Sequence, residues 1–113
     1  MKETFLHYLW MHQLLDVSNL QTTKNEKITI LHAGTYNANA GPDFLHAKLE
    51  IGNQLWFGNV EIHLKSSDWY AHYHEKDINY DAVILHVVYQ HDVNVFITNN
   101  SCLLYTSPSP RDA

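Results

Sequence analysis

Residues 44 to 65 hold two strand-length runs joined by Gly52-Asn53, and no other stretch restricts the fold as tightly. In the first run Leu45, Ala47, Leu49 and Ile51 alternate with His46, Lys48 and Glu50, the period-two pattern of a strand with one buried face. Gly-Asn is a hairpin turn signal, so Gln54 to Lys65 is expected to run back antiparallel beside the first strand. Gly58 within the return strand marks a bulge. A chain with this hairpin is organised around a sheet.

The flanking segments say what kind of sheet. Glu3 to Asp16 place Phe5, Leu6, Leu9, Trp10 and Leu14 at helical spacing, which predicts an amphipathic helix. Ile28 to His32 is a β-branched strand closed by Ala33-Gly34, and Thr35 to Gly41 reads as a loop, since Pro42 biases Gly41 away from helix. Ser67 is placed to cap a short helix over Asp68 to His74. After a polar connection, Asp77 to Asp81, the run Ala82 to Tyr89 is apolar enough for a sheet interior. Val93 to Ile97 begins a further strand. Together these predict an α/β fold with a mixed sheet, an N-terminal helix and a second short helix. Its expected core is Phe5, Leu9 and Trp10 of the helix packed against Leu45, Leu49, Ile51, Val60, Ile62, Leu85 and Val87, with Trp56 and Trp69 as further core aromatics.

A length of 113 residues suits one small domain. The longest apolar runs, Val83-Ile84-Leu85 and Val87-Val88, are far too short for a bilayer, and the start Met1-Lys2-Glu3-Thr4-Phe5 lacks a signal-peptide pattern, so a cytoplasmic location is expected. The net charge of -5 argues against a broad basic surface for nucleic acid, though metal-holding carboxylates of a nuclease would add to that acidity. Residues 102 to 112 match, residue for residue, a translated adapter from transposase-based sequencing libraries. On that match residues 1–101 form the N-terminal part of a single truncated domain, and 102–113 are an adapter-derived tail expected to show no fixed packing. Cys102, the only cysteine, lies in that tail, which leaves no disulfide, zinc ribbon or thiol nucleophile to consider.

Chemistry concentrates in Gly41-Pro42-Asp43-Phe44 and in Glu61-Ile62-His63-Leu64-Lys65. An acid at the head of one strand, with an acid, a histidine and a lysine on one face of the next, is a common layout for a divalent-metal phosphodiester site. Asp43 and Glu61 are the candidate metal ligands, since Mg²⁺ takes carboxylate, water and phosphate oxygens, and Mn²⁺ is the alternative ion. His63 and Lys65 are the candidate catalytic groups, one as base or ligand, the other as a cation on phosphate. Each also has a plain structural role open to it: a turn residue for Asp43, a solvent-facing strand acid for Glu61, a half-buried imidazole for His63, an exposed strand-end lysine for Lys65. His72 and His74 form an H-x-H pair that could take a transition metal, but residues two apart diverge on a helix. His86, between apolar neighbours, reads as a satisfied core histidine. No P-loop, dinucleotide fingerprint or G-x-S-x-G elbow is present.

The blocks Glu3-Thr4-Phe5-Leu6-His7-Tyr8-Leu9-Trp10, His32-Ala33-Gly34, Ala40-Gly41-Pro42-Asp43-Phe44, Gly58-Asn59-Val60-Glu61-Ile62-His63, Ser66-Ser67-Asp68-Trp69 and Val83 to Tyr89 resemble, in this order, a bacterial family called domain of unknown function 2851. That resemblance implies relatedness and no particular chemistry. The chain is also similar to the PD-(D/E)XK nuclease fold, whose order is α-β-β-β-α-β, with an Asp opening the second strand and an acid-any-Lys triplet in the third. Asp43 and Glu61 take those positions, His63 stands where the pattern has Lys, and Lys65 points to the same face. The similarity implies a restriction-endonuclease-like core acting on nucleic acid with Mg²⁺ or Mn²⁺. Its alternative is a non-catalytic scaffold or binding domain.

Overall fold

The computed structural model describes residues 2–14, 26–72, 74–90 and 104–106. The chain forms α1 (Glu3–Met11), β1 (Ile28–His32), β2 (Thr35–Tyr36), β3 (Phe44–Ile51), β4 (Gln54–Lys65), α2 (Asp68–Ala71), two single 3₁₀ turns (His74–Lys76 and Ile78–Tyr80), β5 (Val83–Gln90) and β6 (Leu104–Thr106). The expected mixed α/β architecture is what is found. The strands run β1-β3-β4-β5-β6 across one sheet, with β2 also pairing with β3. β1, β2 and β4 are antiparallel to β3, whereas β5 is parallel to β4 and β6 parallel to β5. A parallel partner requires a crossover, and α2 with the two 3₁₀ turns supplies it.

α1 is shorter than its apolar periodicity. Gln13 takes a positive φ of 53°, Gln13 N–H donates to Trp10 O at 3.1 Å and Leu14 N–H donates to Leu9 O at 2.9 Å, the paired bonds of a Schellman stop. Leu14 folds back onto the core from just past the helix end. The continuation expected to Asp16 therefore ends at Met11, with Leu15 and Asp16 outside the described residues. The buried stripe is Leu6, Leu9 and Trp10, while Phe5 is 45% exposed, which corrects its expected place in the core.

Other corrections concern β3 and its neighbours. A bulge between Phe44 and Ala47, with His46 at φ 61°, shifts the alternation by one residue. Phe44 is thereby fully buried and Leu45 only partly. Part of the expected loop after Gly34 pairs as β2, with Thr35 opposite Leu45 and Tyr36 opposite Phe44. Gly58 lies opposite Ala47 at the edge of that bulge, and its own constraint is crowding: a Cβ there would sit 2.5 Å from Ile84 Cγ2 and 2.6 Å from Ala82 O. Ser67 occupies the N-cap of α2 as expected, but without a side-chain cap bond. Residues 104 to 106 overturn the expectation of a tail without fixed packing, because they add a strand to β5. An exposed strand edge offers unpaired N–H and C=O groups, and Leu104-Tyr105-Thr106 has the composition to take them. The strand expected at Val93 to Ile97 lies outside the described residues.

The core is one apolar cluster of Leu6, Leu9, Trp10, Ile28, Ala33, Phe44, Ala47, Leu49, Ile51, Val60, Ile62, Leu85 and Val87, joining α1 to one face of the sheet. Trp10 Nε1 donates to Ala33 O at 2.8 Å, so the polar end of the buried indole is satisfied. On the opposite side of β4 and β5 a small cluster of Trp69, Tyr80 and Val83 covers a buried polar layer. Among the described residues no helix is long and apolar enough to cross a membrane.

Candidate functional site

β4 is buried on both faces from Val60 to His63, and the strand period sends Val60 and Ile62 into the apolar core while Glu61 and His63 point the other way. β5 repeats the device: Leu85 and Val87 join the core, and His86, opposite Glu61 in register, is fully buried beside Trp69 and His63. Charged and imidazole groups are rarely sealed in this way unless they are paired or hold a ligand.

The pairing of β3 with β4 ends at Phe44 opposite Val60, and the Asp43 side chain takes over there. Ile62 N–H donates to Asp43 Oδ2 at 2.8 Å, and Asp43 N–H donates to Glu61 Oε1 at 3.1 Å. The two carboxyl groups are thereby held side by side, and each shifts the other's pKa. Around them, α1 brings His7 Nε2 to 3.4 Å from Asp43 Oδ2 and 3.8 Å from Glu3 Oε1. On the far side, Glu61 Oε2 lies 2.7 Å from His74 Nε2 and 3.6 Å from His63 Nε2. His63 Nδ1 is in turn 2.7 Å from His86 Nε2. A line of polar groups thus runs from Glu3 through His7, Asp43 and Glu61 to His74, His63 and His86.

Burial sets the protonation states. It pushes the Glu61 carboxyl up to about 10, reinforced by the neighbouring Asp43, so Glu61 holds the proton of the pair. Burial also pushes Asp43 up, but the nearby His7 imidazole, Glu61 and the Ile62 N–H together outweigh it and hold Asp43 below its ordinary range. Burial takes His63 down to about 4, helped by His74 and His72, so its imidazole is neutral near pH 7. His7 is raised, chiefly by the adjacent Asp43 carboxylate, and Glu3 is raised, first by burial and then by Asp43. Tyr80, stacked on His74 with ring centroids 3.8 Å apart, is held above its usual range by burial and by Glu61.

Of the residues singled out in the sequence, Asp43, Glu61 and His63 come together, and Glu3 joins them through His7. Lys65 does not: its side chain is exposed, and its backbone N–H donates to Asp68 Oδ2 at 3.2 Å. His72 and His74 converge where a continuous helix would part them. α2 ends at Ala71 and the chain re-enters a 3₁₀ turn at His74, so His63, His72 and His74 each offer a nitrogen within 4.8 Å of the others. Glu3, His7 and Asp43 form a second group of the same kind. His7 and His86 were invisible as participants; the one sequence signal for His7 is its position one helical turn from Glu3, and for His86 its place alone in an apolar strand.

The chain belongs to the family described as protein of unknown function (DUF2851), whose profile matches residues 3–106. No curated protein and no solved structure matches it.

Proposed function

We propose that the chain is a metal-dependent phosphodiesterase of the nuclease type, acting at the end of the sheet where Asp43 and Glu61 meet. The observation that supports this most is the junction itself: two carboxyl groups, one just before β3 and one on β4, linked by the bond from Asp43 N–H to Glu61 Oε1 inside a rim of imidazoles. The donor set fits a hard divalent ion, because Asp43 and Glu61 supply oxygens and Glu3 stands behind His7 as a third carboxylate. Mg²⁺ or Mn²⁺ held there would polarise a phosphodiester and lower the pKa of a bound water.

The chain's own groups then have distinct tasks. Asp43 is ionised and fixed by the Ile62 N–H, so it is a preformed anchor. Glu61 must give up its proton to act as a ligand, which makes occupation of the site favour higher pH. His63, neutral and 3.6 Å from Glu61 Oε2, is the group to take a proton from an attacking water, and Lys65 is left to meet substrate phosphate from the exposed strand end. The competing scaffold reading is favoured by one fact, that Asp43 already closes the end of a strand ladder.

The test is cleavage of single- and double-stranded DNA and RNA by the purified chain with Mg²⁺ or Mn²⁺, beside Asp43→Asn. Asn keeps a carbonyl for the Ile62 N–H, so fold is preserved while the ionised ligand is lost. Cleavage should fall by about a hundredfold or more with the circular dichroism spectrum unchanged. Absence of cleavage by the wild type, or equal cleavage by the variant, refutes the reading.

A further inference from the structure

The imidazole side of the polar line has a chemistry of its own. His63, His72 and His74 bring three nitrogens within 4.8 Å of one another, and Glu61 Oε2 lies 2.7 Å from His74 Nε2 and 3.6 Å from His63 Nε2. Three nitrogens around a tetrahedral ion with bonds of about 2.0 Å are separated by about 3.3 Å, so imidazoles already within 4.8 Å of one another need only small side-chain rotations to close, with the fourth position left to water. Three imidazole nitrogens do not suit Mg²⁺, which demands oxygen ligands; they suit zinc and its neighbours in the transition series.

Two further features fit the same conclusion. His63 Nδ1 lies 2.7 Å from the fully buried His86 Nε2. When Nδ1 carries the hydrogen and donates it to His86, the lone pair of His63 Nε2 is turned toward Glu61, the arrangement by which an outer partner fixes the tautomer of a metal-binding histidine. His74 is also held in place, between the Tyr80 ring at 3.8 Å and the His63 ring at 5.3 Å, both nearly parallel to it. His72 is exposed at the end of α2 and leaves one side of the group open to solvent.

We propose that His63, His72 and His74 form a three-imidazole binding site for a zinc-class divalent ion, with water in the fourth tetrahedral position. The assignment rests on the imidazole geometry and competes with the hydrolase reading for His63, whose lone pair cannot both hold an ion and take a proton from water; a chain that cuts nothing could still bind zinc.

The test is calorimetric titration of the chain, without a histidine tag, with Zn²⁺, and with Co²⁺ as a coloured substitute whose visible bands report tetrahedral nitrogen and oxygen ligands. The wild type should bind one equivalent. His72→Ala, at an exposed position outside the core, should fold normally and bind at least about tenfold more weakly. Asp43→Asn should keep wild-type zinc affinity whatever happens to hydrolysis. The proposal is overturned if the wild type binds no zinc, if His72→Ala binds as tightly as wild type, or if Asp43→Asn loses zinc as fully as His72→Ala, which would move the ion to the Asp43 side.

Discussion

The two faces of β4 and β5 are built from the same strands and are almost equally buried, yet they follow opposite rules. Under α1, Val60, Ile62, Leu85 and Val87 meet Leu6, Leu9 and Trp10, and every buried atom gains from leaving water. Under α2 and the 3₁₀ turns, Glu61, His63, His74 and His86 are buried at 8% exposure or less, and each loses hydration that its partners only partly replace. Isosteric apolar residues would stabilise that second face better than a buried carboxyl among imidazoles does. A layer that works against stability while the opposite layer supports it is where the proposed chemistry would sit. One face holds the fold, and the other carries the proposed sites.

The sharpest way to break this contrast is through Trp10. It is fully buried, and its Nε1 donates to Ala33 O at 2.8 Å, so Trp10→Ala removes the largest side chain under the sheet and orphans a carbonyl. A loss of about 3 to 5 kcal/mol is expected from large-to-small substitution of a core aromatic, measured by urea denaturation of the metal-free chain. A loss below about 1 kcal/mol would mean that α1 does not anchor the apolar face. The Asp43→Asn variant, by contrast, should lose activity and little stability.

The polar face can be separated from the apolar one by pH, since only its groups titrate. Glu61 ionises near 4.5 when unfolded and is raised to about 10 in the fold, so the stability it lends is complete below 4.5 and is lost as pH rises toward 10. His63, lowered from 6.5 to about 4, acts in the opposite sense: between these values the unfolded chain binds the extra proton and the fold gains as pH rises. Between about pH 4.5 and 6.5 the two effects offset one another. Above 6.5 Glu61 acts without that opposition, and His7, raised by Asp43, adds a loss of the same sign. The metal-free chain should therefore lose stability from about pH 6.5 to 9, with a slope approaching 1.4 kcal/mol per unit for Glu61 alone. Glu61→Gln should flatten most of this slope in denaturation series across that range. A wild-type profile already flat there would show that Glu61 is ionised in the fold, and the contrast between the faces would weaken.

How much of this could be read beforehand divides along the same line. The hairpin, the mixed sheet and the meeting of Asp43, Glu61 and His63 follow from period-two alternation and strand order, which are properties of local sequence. The imidazole group does not, because it depends on where a helix stops. α2 ends after four residues, with Trp69 buried against Tyr80 and His86, and the 3₁₀ turn that follows swings His74 back toward His63. Nothing in Tyr70-Ala71-His72 announces that stop; tertiary packing overrides a weak helical preference. At β3 the hidden variable is His46 at positive φ, a conformation histidine adopts more readily than β-branched residues do, and it exchanges Leu45 for Phe44 in the core.

The smallest expected effect tests the apolar face at the place where periodicity misjudged it. Phe5 and Leu6 are adjacent on α1, and either can be drawn into a stripe through 9 and 10, although positions 6, 9 and 10 span about 100° of the helix and positions 5, 9 and 10 about 140°. The choice is made by the docking angle of the helix, which puts Leu6 at 2% exposure and leaves Phe5 at 45%. Phe5→Ala should then change stability by no more than about 0.5 kcal/mol, as for an exposed position away from caps and cores, and alanine's helix propensity offsets part of any lost contact. Leu6→Ala is the internal control, with an expected loss of about 2 to 5 kcal/mol. Should Phe5→Ala prove as damaging as Leu6→Ala, Phe5 would have to be buried in solution. α1 would then be rolled toward the sheet by a turn that also moves Glu3 and His7 relative to Asp43, so the apolar and polar faces would have to be redrawn together.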